Sequence, residues 1–298
     1  MRIMFVGDSM TVGSAGDLTW RYRMWQHLNA THGGPYRIVG PRTELHEGSV
    51  AYADPDFPGH ARRHLAGWGE GWLHLAPLVG DAVRRAKADT LLVSLGLIDL
   101  GFYTDVPQTT ANVRRFLAEA RAANPRVRAV LLPVAPNIRA LTDGSFAATR
   151  EEFNEQLAKT VADLSTPGAP LLLASSPADW TPDRDTYDGT HPSAEGEHRM
   201  AAAFADALHQ GWGVGGPYRE PYGAGTYGGG TYGGGSGGDP YGAGPEAYGR
   251  GRRTDGRERG GRGARRGRRA APGGKSGGPE RTDAPERRRR ARGFDSRG

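Results

Sequence analysis

Five short runs rich in Val, Ile and Leu, at residues 3–6, 37–39, 90–95, 127–134 and 170–174, alternate with longer helical patterns. That alternation limits the fold more than any other feature. Runs of this length and composition read as strands buried on both faces. The helical patterns cover residues 18–30, 72–88, 106–123, 147–164 and 194–209. Gly33-Gly34 ends the first, Pro77 is expected to interrupt the second, and Pro125 and Pro167 stop the next two. Ser193 is the expected N-cap of the last, with Glu195 and Glu197 in a first turn whose dipole favours carboxylates. Strands joined by long helices run parallel through right-handed crossovers. The expected architecture is therefore α/β: a three-layer α/β/α sandwich around a five-stranded parallel sheet.

The pattern stops near residue 210. Residues 211–298 hold 29 of the 47 Gly, 19 of the 39 Lys and Arg, and 9 of the 33 Asp and Glu, with Gly-rich repeats such as Thr226-Tyr227-Gly228-Gly229-Gly230. Such a segment cannot bury enough apolar surface to offset its ordering entropy. The expected organisation is a folded domain over 1–210 and a disordered Gly/Tyr/Arg-rich tail over 211–298. The domain keeps 20 basic against 24 acidic side chains, so the chain's formal charge of +6 belongs to the tail. Its clustered arginines imply non-specific contact with polyanions. A chain without Cys has no disulfide, no thiolate nucleophile and no cysteine metal site. The histidines, His60 and His64 included, show no recognised metal spacing, so neither metal nor cofactor is expected. No stretch approaches the ~18 apolar residues of a membrane span, and residues 1–6 are too short for a signal-peptide apolar region. As written, the chain is expected to be soluble and cytoplasmic, and secreted only if the N-terminus is incomplete.

In parallel α/β folds, ligands gather at the carboxyl ends of the strands. The candidates for chemistry are then Gly7-Asp8-Ser9 after the first strand, residues 96–99 after the third, and Ala135-Pro136-Asn137 after the fourth. Ser9 places a hydroxyl at a strand-to-helix turn, where backbone N–H groups face whatever it attacks. Asp188-Gly189-Thr190-His191 lies just before the last helix. An Asp three residues before a His orients the imidazole and leaves its other nitrogen as a base for a serine.

With these two end blocks the chain resembles the SGNH, or GDSL, hydrolases, over roughly residues 1–210. The resemblance implies a flavodoxin-like fold, Ser9 as nucleophile, and Asp188 and His191 completing a triad. It also implies an oxyanion hole built from the N–H groups of Ser9 and of a second-block glycine. Ala66-Gly67-Trp68-Gly69 supplies that glycine, with Gly67 favoured for the Trp that follows it and Gly69 the alternative by spacing. The family's third block, Gly-x-Asn-Asp, reads Gly96-Leu97-Ile98-Asp99, so Ile98 stands where the family places an oxyanion donor. Losing one such donor typically costs about 10²–10³ in turnover. Among the five Asn, Asn137 alone directly follows a predicted strand at the ligand edge, which makes it the candidate substitute donor. Asp99 is expected to bond backbone in the loop after the third strand. Trp20, Trp25, Trp68 and Trp72 either line a pocket or pack helices.

The implied activity is cleavage of carboxylic esters through a Ser9–His191–Asp188 triad and an acyl-enzyme, on short-chain or carbohydrate-linked acyl groups. Two other functions compete with it: a weakened relative that binds a glycan or acyl ligand without turnover, and a nucleic-acid-associated protein dominated by its tail.

Overall fold

The first apolar run forms β1 (Arg2–Gly7), where every residue from Ile3 to Gly7 is buried. Continuous burial is what a strand covered on both faces requires. In the computed structural model, which describes residues 1–219, it is joined by β2 (Arg37–Ile38), β4 (Thr90–Ser94), β5 (Arg128–Leu132) and β6 (Leu171–Leu173). The spatial order is β2-β1-β4-β5-β6, and all the pairings are parallel. The chain winds out from β1 in both directions, so the switch in strand order falls beside β1 and opens a crevice at its carboxyl end.

A sixth strand was not expected. β3 (Leu65–Ala66) pairs with the end of β1, Val6 opposite Leu65 and Gly7 opposite Ala66, while β2 occupies the start of the same edge. Two residues carry no periodic signal, which is why β3 is invisible in the sequence.

Helices cover both faces. α2 (Thr19–Thr31) and α8 (Ala194–Trp212) pack together, with Trp20 stacked on Phe204 at 4.7 Å and edge-on to Phe5 of β1 at 5.2 Å. α3 (Trp72–Ala86), α4 (Val106–Ala123) and α6 (Gly144–Leu164) form the other layer, where Trp72 meets Phe116 edge-on at 5.1 Å. Trp20 and Trp72 are thus core residues, both fully buried. α3 is not interrupted at Pro77: the ring lies on its exposed face, and the carbonyl of Leu73, which loses its helical donor, belongs to another exposed residue.

Ser193 caps α8 as expected, accepting from the Gly196 N–H. Glu197 lies in the first turn of α8, as expected. It is buried, accepts the Thr19 N–H at 2.6 Å and pairs with Arg23 at 3.2 Å, holding Thr19 at φ 73° where α2 begins. α8 also runs past residue 210 to Trp212 and is closed by Gly213 in the left-handed region. Beyond it, Tyr218 bonds His198 at 2.7 Å and Asp206 through its backbone N–H, which holds Tyr218 against α8. The remainder of the expected tail, 220–298, lies outside the described residues.

Candidate active site

β1 delivers the chain into Asp8 and then a one-turn helix, α1 (Ser9–Val12), whose start is capped by the Asp8 carboxylate through the Met10 N–H at 3.0 Å. The turn is tight: a Cβ on Gly7 would lie 2.0 Å from Thr11 Oγ1. It places Ser9, itself buried, at the carboxyl end of the central strand.

The second half of the site comes from the loop between α7 (Pro182–Asp185) and α8. Two anchors shape this loop. Asp185 is buried, paired with Arg184 and Arg199, and accepts from the Thr181 N–H. Burial alone would push its carboxyl up, but these partners win and its pKa falls below the usual value. The Tyr187 N–H donates to the His191 carbonyl at 3.0 Å, closing the loop over residues 188–190, with Gly189 at φ 86° against Ile138.

The loop brings His191 Nε2 to 2.9 Å from Ser9 Oγ, while Nδ1 lies 2.6 Å from Asp188 Oδ2. Asp188 Oδ1 accepts the backbone N–H groups of Thr190 and His191 at 2.9 and 2.7 Å. Partial burial raises the Asp188 pKa, but the hydrogen bond and charge of His191, together with the two backbone donors, outweigh it and hold the carboxyl below its ordinary value. An ionised Asp188 fixes the proton of His191 on Nδ1 and leaves Nε2 free to accept from the serine.

Above this chain lies a feature that spacing alone does not reveal. Trp68 stacks on His191 at 4.6 Å and 20°, and on its other neighbour, His46, at 3.8 Å and 24°. Tyr187 is also near-parallel to His191, at 5.7 Å, and its hydroxyl is 3.1 Å from Ser14 Oγ. Trp68 was visible only as the partner of a glycine; its role depends on β3, whose register carries Trp68 to the site.

The candidate oxyanion donors divide. The Gly67 N–H donates to the Gly7 carbonyl at 3.2 Å, which commits it to the end of the β1–β3 ladder. Gly69, at φ 71°, sits in the turn closed by the Glu70 N–H on the Gly67 carbonyl, and a Cβ there would meet nothing within 4 Å. The Asn137 side chain is engaged locally. Its Oδ1 caps α5 (Ile138–Thr142) through the Ala140 N–H and its Nδ2 lies 3.4 Å from Thr190 Oγ1. Ile98 is buried and faces an apolar pocket of about 500 Å³ shared with Phe102, Ile138, Phe146, Asp188 and Thr190. Asp99 does bond backbone, but not in its own loop: it takes the Trp72 and Leu73 N–H groups at the start of α3, packed so closely that a Cβ on Gly71 would strike it at 2.2 Å. Among the described residues, no group of three or more His, Asp or Glu is placed to hold a metal ion.

The model of the GDSL-like lipase/acylhydrolase family matches residues 5–199. The chain belongs to this family. No curated protein sequence matches it. Among solved structures, a family 3 carbohydrate esterase from Talaromyces cellulolyticus is similar at 25% identity and a TM-score of 0.58, over 70% of this chain and 97% of that one. A serine-to-alanine mutant of an acetyl esterase, solved with an acetate ion, matches at 24% identity and 0.58, over 70% and 97%. A Clostridium thermocellum family 3 carbohydrate esterase matches at 18% and 0.56, over 70% and 96%. The parallel sheet flanked by helices is thus the GDSL fold, and the two end blocks of the GDSL chain meet in it although 182 positions separate Ser9 from His191.

Asp8 gives this GDSL site a measurable pH signature. Burial raises its pKa from 3.8 to about 7, against the opposing Met10 hydrogen bond and the charge of His191. Between pH 4 and 7 the folded state then holds a proton that the unfolded chain releases, so this group's contribution to stability falls as pH rises through that window and levels off above it. Asp8→Asn keeps a capping oxygen and removes the titration. Thermal unfolding at a series of pH values is expected to show the variant gaining on the parent from pH 4 to 7, by up to about 4 kcal/mol.

Proposed function

We propose that the protein is a serine ester hydrolase that removes short acyl groups, with carbohydrate-linked acetyl esters as the favoured class. The observation that carries this reading is the pair of hydrogen bonds linking Ser9 Oγ, His191 and Asp188, at 2.9 and 2.6 Å. In the reaction, His191 Nε2 takes the serine proton as Oγ attacks the ester carbonyl. The alcohol leaves with that proton, and an acyl-Ser9 ester remains. Water, deprotonated by the same imidazole, then attacks this ester and frees the acid. The developing oxyanion is held by the Ser9 N–H and by the second-block turn, where Gly69 is the better donor because the Gly67 N–H is taken by Gly7. Trp68 supports the imidazolium intermediate, since a cation on a Trp face gains about 0.5–2 kcal/mol.

The gap lined by Ser9, Met10, Gly13, Thr19 and Tyr187 measures about 10 Å³, room for about one water and none for an acyl chain. The 500 Å³ pocket beyond Asp188 and Thr190 suits the alcohol portion, whose C–H faces would rest on Phe102, Ile138 and Phe146. The carbohydrate class draws on the Talaromyces relative, itself a carbohydrate esterase.

Hydrolysis of p-nitrophenyl acetate and butyrate by the full chain, beside Ser9→Ala, tests the reading. Ser9-dependent release that is faster on acetate supports it; equal rates in the two proteins would leave a ligand-binding relative as the better account. Ile98→Asn restores a side-chain donor at the third block. It is expected to raise kcat on the same ester about tenfold or more, a fraction of what one oxyanion donor is worth.

A further inference from the structure

A large cavity lies away from Ser9. It measures about 790 Å³ and runs along β2, the exposed edge of the sheet, between α2 and α3. Its lining contradicts the charge of the domain around it: Arg2, Arg37, Arg63 and Arg85 contribute four guanidinium groups and no carboxylate lines it, although residues 1–210 are net acidic. Arg2 Nε is fixed on the Ala86 carbonyl at 2.9 Å, and Arg63 on the Gly40 carbonyl at 3.2 Å. These bonds orient the guanidiniums without neutralising them. Arg85 pairs with Asp81 at 3.3 Å but is 82% exposed, so that pairing is weak. Asp89 accepts the backbone N–H of Arg2.

The walls are as distinctive as the rim. Trp25 comes from α2 and Tyr36 from the segment before β2, while α3 contributes the small side chains of Ala82 and Ala86. Tyr36 is held by its hydroxyl on Asn29 Oδ1 at 2.6 Å. Aromatic side chains in a cavity wall offer faces for a flat ring, and clustered arginines recognise phosphate oxygens by charge-assisted, often bidentate, hydrogen bonds. A volume near 800 Å³ is in the range of small-ligand sites.

We propose that this groove is a second binding site, for a phosphorylated ligand that carries a planar ring, a nucleotide being the class that fits both halves. The ring lies against Trp25 and Tyr36, and the phosphates lie against Arg37 and Arg63. None of these residues touches the Ser9 site, so binding here is separate from ester cleavage and independent of the function proposed above.

The test uses the full chain, whose own Arg-rich tail is a competing anion binder, with ATP, adenosine and inorganic tripolyphosphate as probes in calorimetric titrations. One saturable ATP site with a Kd below about 1 mM is expected, weakened at least tenfold in the Arg37→Glu/Arg63→Glu double variant and quenching Trp fluorescence on binding. Ser9-dependent ester hydrolysis in that variant is expected to match the parent, which shows that it folds. Adenosine and tripolyphosphate should each bind more weakly than ATP. Absence of saturable ATP binding, ATP affinity that the double variant leaves unchanged, or tripolyphosphate binding as tightly as ATP would each overturn the proposal.

Discussion

Ser9→Ala is expected to lower kcat on p-nitrophenyl acetate by about 10⁴-fold or more while leaving KM within a few-fold. In the proposed reaction the hydroxyl forms the covalent bond to the acyl group, whereas substrate affinity comes from the surrounding pocket and loops. Removing Oγ leaves the fold intact. The α1 cap is made by Asp8, the backbone of Ser9 is unchanged, and the lost hydrogen bond was one of several that hold the His191 loop. Thermal unfolding of the variant should therefore stay close to the parent, and the loss seen in steady-state kinetics can be assigned to chemistry.

Asp188→Asn should come close to it, with kcat reduced by about 10³–10⁴. The reason lies in the count of donors. Asp188 accepts three: Nδ1 of His191 on one oxygen, and the N–H groups of Thr190 and His191 on the other. An amide has a single acceptor oxygen, so its NH₂ must face either the imidazole or the two backbone donors. In the first case Nδ1 loses its acceptor and the proton moves to Nε2, which can no longer serve as base; in the second the loop that carries His191 is opened. The variant should also be less stable, by about 1–3 kcal/mol. Because the Asp188 pKa is depressed in the folded state, the stability it provides is present above its unfolded value near 3.8 and is lost as pH falls through the folded value. The difference between parent and variant in thermal unfolding should therefore shrink at low pH.

What the sequence made legible follows from where its signals are strong. Strands buried on both faces announce themselves as apolar runs, and four long helices are bounded by Pro, Gly or a Ser cap; these gave the sheet, its direction and the carboxyl-end location of Ser9. The hydrogen-bonded residues Ser9, His191 and Asp188 were legible because two short blocks sit at fixed places in that fold. What was hidden depends on short-range geometry. β3 is two residues long, yet its register decides that the Gly67 N–H faces Gly7 and that Trp68 reaches His191. Asn137 follows β5 as expected, but its short side chain caps α5, a five-residue helix with no periodic signature. Asp99 spans 27 positions to cap α3, a contact that no local pattern encodes. Glu197 sits in the first turn of α8 as its position implies, and its further pairing with Thr19 and Arg23 of α2 is a tertiary contact that no local pattern encodes.

The central claim is that Ser9 is the nucleophile, and a fluorophosphonate tests it most directly, since such reagents phosphonylate a serine only where a base has activated it. The intact mass of the treated chain should rise by one adduct, peptide mapping should place it on Ser9, and both Ser9→Ala and His191→Gln should remain unlabelled while ester hydrolysis stops in step with labelling. An adduct on another residue, or hydrolysis that continues undiminished after full labelling of Ser9, would contradict the account.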